Sequence, residues 1–161
     1  MRIGVMGDTH GDMNAIRRAV AAVGSVGIWL HTGDFCRDAR MLSVLTGEPV
    51  TVVSGNCDGR SSEAKPDEFL EVQGYRIWLT HGHRHDVKYG LSDLENWARR
   101  YEADIVVYGH THQPYNAIVN GILFFNPGSA SEPRRGKNRT CGVLTVSPEK
   151  SGVNPQLICI C

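Results

Sequence analysis

The chain has 161 residues, seventeen Lys plus Arg balanced by seventeen Asp plus Glu, and 41% hydrophobic residues. That length predicts one domain over residues 1–161, burying roughly two-thirds of its unfolded surface without disulfides, while zero formal charge argues against a grip on long nucleic acid or an anionic membrane. Five irregularly spaced cysteines do not form a disulfide framework, and no stretch approaches the ~18 apolar residues of a membrane span, so a cytoplasmic protein with reduced thiols is expected.

Ile3 to Gly7 reads as a buried strand, followed by an N-cap at Asp12 and apolar Ile16, Ala19, Val20 and Val23 at helical spacing. The apolar run Met1 to Met6 is too short for a signal-peptide core. Gly27 to His31 and Val50 to Val53 are further short apolar runs, separated by a helical segment from Asp38 to Leu45. Such alternation implies parallel strands with helices packed on the sheet. Phe69 to Val72 and Arg76 to Thr80, joined through Gln73-Gly74-Tyr75, predict a hairpin instead. Ser92-Asp93-Leu94-Glu95 has the form of a capping box and opens a helix with the apolar face Leu94, Trp97, Ala98 and Tyr101. A strand follows from Ile105 to Tyr108. Ala117 to Val119, Ile122 to Phe125, Cys141 to Val146 and Gln156 to Ile160, punctuated by Asn120-Gly121 and Pro-containing turns, predict a mostly antiparallel meander.

Five short motifs fall just past predicted strands: Gly7-Asp8-Thr9-His10, Gly33-Asp34, Gly55-Asn56-Cys57-Asp58, His81-Gly82-His83 and Gly109-His110-Thr111-His112. Alone, each has a mundane explanation, since Asp and Asn cap turns and a lone His ends many strands. Together they place candidate ligands at the carboxyl ends of successive strands, where open α/β sheets bind ligands. Asp8, His10, Asp34, Asn56, His81, His110 and His112 form a mixed oxygen and nitrogen set suited to manganese, iron, zinc or nickel. Seven donors exceed one tetrahedral ion and suit two ions about 3.5–4 Å apart, a spacing used in phosphoryl displacement. Glycine before Asp34, Asn56 and His110 leaves room for close backbone approach.

In this order the motifs resemble the calcineurin-like metallophosphoesterase superfamily across nearly the whole chain, and the Gly-Asn-Cys-Asp, Thr80-His81-Gly82-His83 and Asn126-Pro127-Gly128-Ser129 segments are similar to the compact YfcE-like phosphodiesterases. The resemblance implies an α/β fold of two packed mixed β-sheets flanked by helices, a four-layer sandwich with metals at one edge. It assigns Asp8, His10, Asp34 and His112 to one divalent ion and Asp34, Asn56, His81 and His110 to the other, with manganese the first expectation and nickel, iron or zinc the alternatives. His83 is expected just behind the ligands and His85 in solvent. The implied reaction is hydrolysis of a small phosphoester, a diester first, by hydroxide bridging the two ions. A phosphomonoesterase or nucleotide phosphatase, or a non-catalytic docking scaffold of the same fold, are the alternatives, and a homo-oligomer is implied.

Cys57 departs from the superfamily pattern, which often has a histidine there to protonate the leaving group. The expectation is a slow enzyme or one that selects good leaving groups; a small buried residue in a tight turn is the plain alternative. Arg134 and Arg135, followed by Lys137 and Arg139, are expected to form a cationic lip for the substrate phosphate, against a merely solvated loop.

Overall fold

The structure, a computed structural model, describes residues 1–60, 62–134 and 136–160. The N-terminal third alternates as expected through β1 (Arg2–Met6), α1 (Met13–Val23), β2 (Ile28–His31), α2 (Asp38–Thr46) and β3 (Val50–Val52), with β1, β2 and β3 parallel. Asp12 starts α1 by accepting a hydrogen bond from the Ala15 amide at 2.9 Å, which satisfies one of the helix's orphan donors. β4 (Asp67–Val72) and β5 (Tyr75–Thr80) form the predicted hairpin. Its two-residue turn, Gln73-Gly74, has φ of 53° and 85°, the left-handed pair a type I′ turn requires. α3 (Ser92–Arg100), β6 (Ile105–Val107), β7 (Pro114–Val119), β8 (Ile122–Pro127), β9 (Arg139–Val146) and β10 (Val153–Ile160) complete the chain order.

Among the described residues the strands form two five-stranded mixed sheets, ordered β10-β9-β1-β2-β3 and β4-β5-β6-β8-β7. Side-chain alternation explains how they stack. Ile3 and Val5 of β1, Ile77 and Leu79 of β5, Ile105 and Val107 of β6, and Leu123 and Phe125 of β8 share one buried cluster between the sheets. The alternate residues face outward. Met6, Trp29 and Val143 meet Ile16, Ala19 and Val23 of α1, while Trp78, Val106 and Phe124 meet Leu94 and Ala98 of α3. The result is helix, sheet, sheet, helix, and it accounts for strands that are apolar at nearly every position: both faces of each are covered.

Two expectations are corrected. Ser92 is the first residue of α3, and no side chain caps that helix. Leu91 packs against the α3 cluster, so the helix starts one residue early, and the Glu95 carboxylate turns to Arg99 and Asn120 instead. Nor do the last four strands make one meander. They split into the hairpins β7–β8 and β9–β10 in different sheets, and β8 runs parallel to β6. Leu144 and Val146 point between the sheets while Cys141 and Val143 point at α1, so β9 needs cover on two faces, which a one-sided meander would not supply.

Candidate metal centre

Both sheets deliver carboxyl ends to one place. Asp8 and His10 follow β1, Asp34 follows β2 and Asn56 follows β3; His81 follows β5, and His110 and His112 follow β6. The centre is therefore built across the sandwich and not along a single sheet. Hydrogen bonds tie the loops together: the Asp8 amide donates to Gly33 O at 3.1 Å and the Gly109 amide to His81 O at 3.0 Å, while the His110 amide reaches across to Asp8 Oδ2 at 3.2 Å.

The backbone there is strained. Asp8, His10, Asp34, His110 and His112 all have left-handed φ, between 47° and 68°, a region costing non-glycine residues on the order of 1 kcal/mol or more each. Close approach explains the neighbouring glycines. A Cβ on Gly55 would lie 2.2 Å from Asp34 Oδ1, and one on Gly109 would lie 2.8 Å from Asp8 Oδ2.

The side chains predicted from sequence converge. Donor atoms of Asp8, His10, Asp34 and His112 lie within 4.8 Å of one another, with His112 Nε2 3.3 Å from Asp8 Oδ1 and His10 Nε2 4.0 Å from Asp34 Oδ2. A second group forms around His81, whose Nε2 is 3.0 Å from Asn56 Oδ1, 3.4 Å from Asp34 Oδ2 and 4.0 Å from Asp8 Oδ1. The His110 ring packs beside it, centroid to centroid 5.1 Å. Asp34 thus faces both groups.

The donor chemistry fits a cation. His81 Nδ1 lies 2.7 Å from Thr32 O and His112 Nδ1 2.6 Å from Glu132 O. A carbonyl only accepts, so each Nδ1 carries a hydrogen, and each Nε2 of a neutral ring turns a lone pair toward carboxylate oxygens. Lone pair facing lone pair is repulsive unless a proton or a metal ion sits between them. Asp8 Oδ1 and His10 Nε2 are also buried with no hydrogen-bond partner, atoms that an ion would satisfy.

Titration behaviour follows the same contacts. Burial works to raise the Asp34 carboxyl, but the hydrogen bond and charge of His81 outweigh it and hold it well below the usual carboxylate range. Burial works to lower His81 and His112, but Asp34 and Asp8 respectively outweigh it and raise both. His110 is lowered to about 4 by burial, with the charges of His81 and Lys88 adding to it.

Cys57 is exposed at the rim, not buried; its amide donates to Asp34 Oδ1 at 2.9 Å, and burial of its surroundings with the Asp34 charge pushes its thiol up to about 11. Arg134 is exposed and its Nε donates to Thr111 O at 3.0 Å, beside the His110–His112 loop. Arg135, the other residue of the expected lip, lies outside the described residues. His83 sits next to His81 and His110, ring centroids 5.2 and 6.1 Å away. His85 does not face solvent: it is 6% exposed, packs edge-on to Trp78 and places Nδ1 2.7 Å from Asp93 Oδ2.

Several supporting residues escape sequence reasoning. His31 Nδ1 accepts from the Gly33 amide at 3.2 Å, so its Nε2 carries the hydrogen and donates to Thr9 Oγ1 at 3.0 Å. Thr9 in turn donates to Asp38 Oδ2 at 2.6 Å. This buried chain joins the loop of Asp8 and His10 to the glycine before Asp34. Ser129 and Ser131 both donate to Asp8 O, at 2.8 and 2.9 Å, and Asp58 accepts from the Gly55 and Cys36 amides at 2.7 and 2.6 Å. The Asn-Pro-Gly-Ser and Gly-Asn-x-Asp segments stood out in the sequence; which backbone groups they hold did not.

Known proteins share this arrangement of chain. Residues 1–149 match the family described as calcineurin-like phosphoesterase superfamily domain. A probable metallophosphoesterase of Bacillus subtilis, YsnB, is 30% identical over 156 residues, covering 95% of this chain and 89% of its own. The phosphodiesterase MJ0936 of Methanocaldococcus jannaschii is 28% identical over 165 residues, covering 92% and 89%. Among solved structures, a conserved protein of Streptococcus pneumoniae described as a predicted phosphoesterase superimposes with TM-score 0.81 at 31% identity, covering 97% of this chain and 87% of its own. Vps29 of Entamoeba histolytica complexed with zinc superimposes with TM-score 0.76 at 22% identity, covering 99% of each, a likeness of fold.

Proposed function

The chain belongs to the calcineurin-like phosphoesterase superfamily, and from that premise we propose that it hydrolyses a small phosphodiester using two divalent cations, manganese first. The observation that carries the reading is the set of inward lone pairs: His81 and His112 Nε2 turned on Asp34 and Asp8, with Asp8 Oδ1 and His10 Nε2 unpartnered. Asp8, His10, Asp34 and His112 would hold one ion and Asp34, Asn56, His81 and His110 the other, Asp34 being shared. When bound, such a pair supplies neutralisation of phosphoryl charge and acidification of a water molecule.

The chain's own groups do the positioning. The carbonyls of Thr32 and Glu132 fix the rings of His81 and His112, and the His110 amide orients the Asp8 carboxylate. Cys57, bound through its amide to Asp34, is the side chain at the rim placed to meet a departing alkoxide. A thiol held at about 11 releases its proton reluctantly, which favours esters whose leaving group needs little protonation. Arg134, braced on Thr111 O, is placed to meet the anionic substrate.

The diester preference is supported by the relative named a phosphodiesterase. A docking scaffold is the second reading, favoured by the fold likeness to Vps29. Metal analysis of the purified protein and turnover of bis-p-nitrophenyl phosphate against p-nitrophenyl phosphate, with added manganese, decide the matter. Two ions per chain and faster diester turnover are expected. Faster monoester turnover selects the phosphatase alternative, and activity that survives exhaustive chelation removes the metal-dependent reading.

A further inference from the structure

Beside the His110–His112 loop lies a cavity of about 470 Å³, within the size range of small-ligand sites. Two residues of its wall, Thr111 and Gln113, belong to or adjoin that loop, and Arg134 closes it from the segment after β8. Lys88 enters from the turn after β5. No carboxylate lines this cavity among the described residues. The larger hollow beside Phe35 and Cys57, about 1100 Å³, is lined by Asp58, Glu63 and Glu68 as well as by Arg37, Arg40 and Lys65, so its charges offset one another.

The charge of the smaller cavity is not spent locally. Lys88 is exposed and has no ion-pair or hydrogen-bond partner among the described residues, and Arg134 uses only its Nε, on Thr111 O. Two cations from separate parts of the chain, with Gln113 and Tyr115 also in the lining, present donors without a carboxylate in the cavity wall among the described residues. An ammonium and a guanidinium fork lining one cavity are matched best by a dianionic phosphate, which offers three oxygens to bidentate and point-charge donors alike. Val87 gives the wall an apolar portion that the uncharged body of a substrate can cover.

We propose that this cavity is a second anion subsite, in which Lys88 and Arg134 bind a phosphate monoester carried by the substrate in addition to the diester that is cleaved. The inference rests on the phosphodiesterase reading and adds a substrate class to it: diesters bearing a further terminal phosphate. Lys88 was absent from every motif because a lone lysine in a turn carries no spacing signal.

The test compares thymidine 5′-(p-nitrophenyl phosphate) with its 3′-phosphorylated counterpart on the manganese-loaded protein. The phosphorylated ester should show kcat/KM about tenfold higher, chiefly through KM, an order expected for one charge-assisted contact. That ratio should shrink toward one in Lys88→Gln and in Arg134→Gln, and in wild type as salt is raised. Equal kcat/KM for the two esters, or a preference that Lys88→Gln leaves untouched, overturns the subsite. Binding gives an answer that does not depend on turnover: by calorimetry, thymidine 3′,5′-bisphosphate should bind about tenfold tighter than thymidine 5′-monophosphate, with the difference lost in Lys88→Gln. If neither ester is cleaved the phosphodiesterase reading fails; equal calorimetric affinities then dispose of the subsite as well, while a tenfold gap that Lys88→Gln abolishes upholds it as an anion site.

Discussion

Adding a single methyl group at Gly55 tests whether the Asp34 carboxylate is the point on which the centre turns. The new Cβ of Gly55→Ala would lie 2.2 Å from Asp34 Oδ1 and 2.6 Å from the Asp34 amide nitrogen, against the 3.0 Å below which real Cβ contacts essentially never occur. Relief therefore needs the carboxylate oxygen to retreat by about 0.8 Å, and because backbone is also struck, rotating the side chain cannot supply all of it. Overpacking of this kind costs roughly 1–3 kcal/mol, which for a chain this long lowers Tm by roughly 3–10 °C. The protein should still fold. Activity should suffer far more, since a displacement near 1 Å at a reacting centre costs on the order of 100-fold. Gly152→Ala is the control: its Cβ meets nothing within 4 Å, so Tm and turnover should both hold. The assay is manganese content and bis-p-nitrophenyl phosphate turnover on purified, folded variants. A Gly55→Ala protein with wild-type metal content and kcat/KM would refute the shared-carboxylate argument.

Two further outcomes are expected. Cys57→His should raise turnover of esters with poor leaving groups several-fold while changing p-nitrophenyl esters little, flattening the dependence of rate on leaving-group pKa; identical slopes in the two proteins would remove Cys57 from the reaction. In chelator-treated protein, His81 and His112 are held above 6.5 by Asp34 and Asp8, so the stability they give is complete below pH 6.5 and is lost as pH rises through their raised values. The metal-free Tm should accordingly fall as pH rises above 6.5, and Asp8→Asn should flatten that fall; a Tm that rises with pH there contradicts the assigned contacts.

Much of the centre is legible in the sequence because its signal is local. Each candidate ligand sits one to five residues past the end of a strand, and strand ends in a parallel arrangement meet wherever the sheet goes, so Asp8, Asp34 and His110 can be grouped without knowing which strand pairs with which. The partition of strands between two sheets is less legible. β8 and β9 are both largely apolar, and nothing in Ile122–Pro127 or Arg139–Val146 says that one lies beside β6 and the other beside β1. Helix caps fail for a related reason. Ser92-x-x-Glu95 has the right letters, but the packing of Leu91 is a tertiary preference that overrides them. His85 escapes because only the assembled fold brings Trp78 and Asp93 to its ring, and Lys88 because Arg134, which lines the same cavity, lies far along the chain.

The left-handed φ angles of Asp8, His10, Asp34, His110 and His112 have an evolutionary consequence. Glycine tolerates such backbone without steric strain, so exchanging any one of these residues for it relieves that local strain while it deletes a donor. In a chain kept for phosphoester hydrolysis, selection would have to act continuously against that gain, and a descendant excused from chemistry would drift toward an inert protein of the same shape.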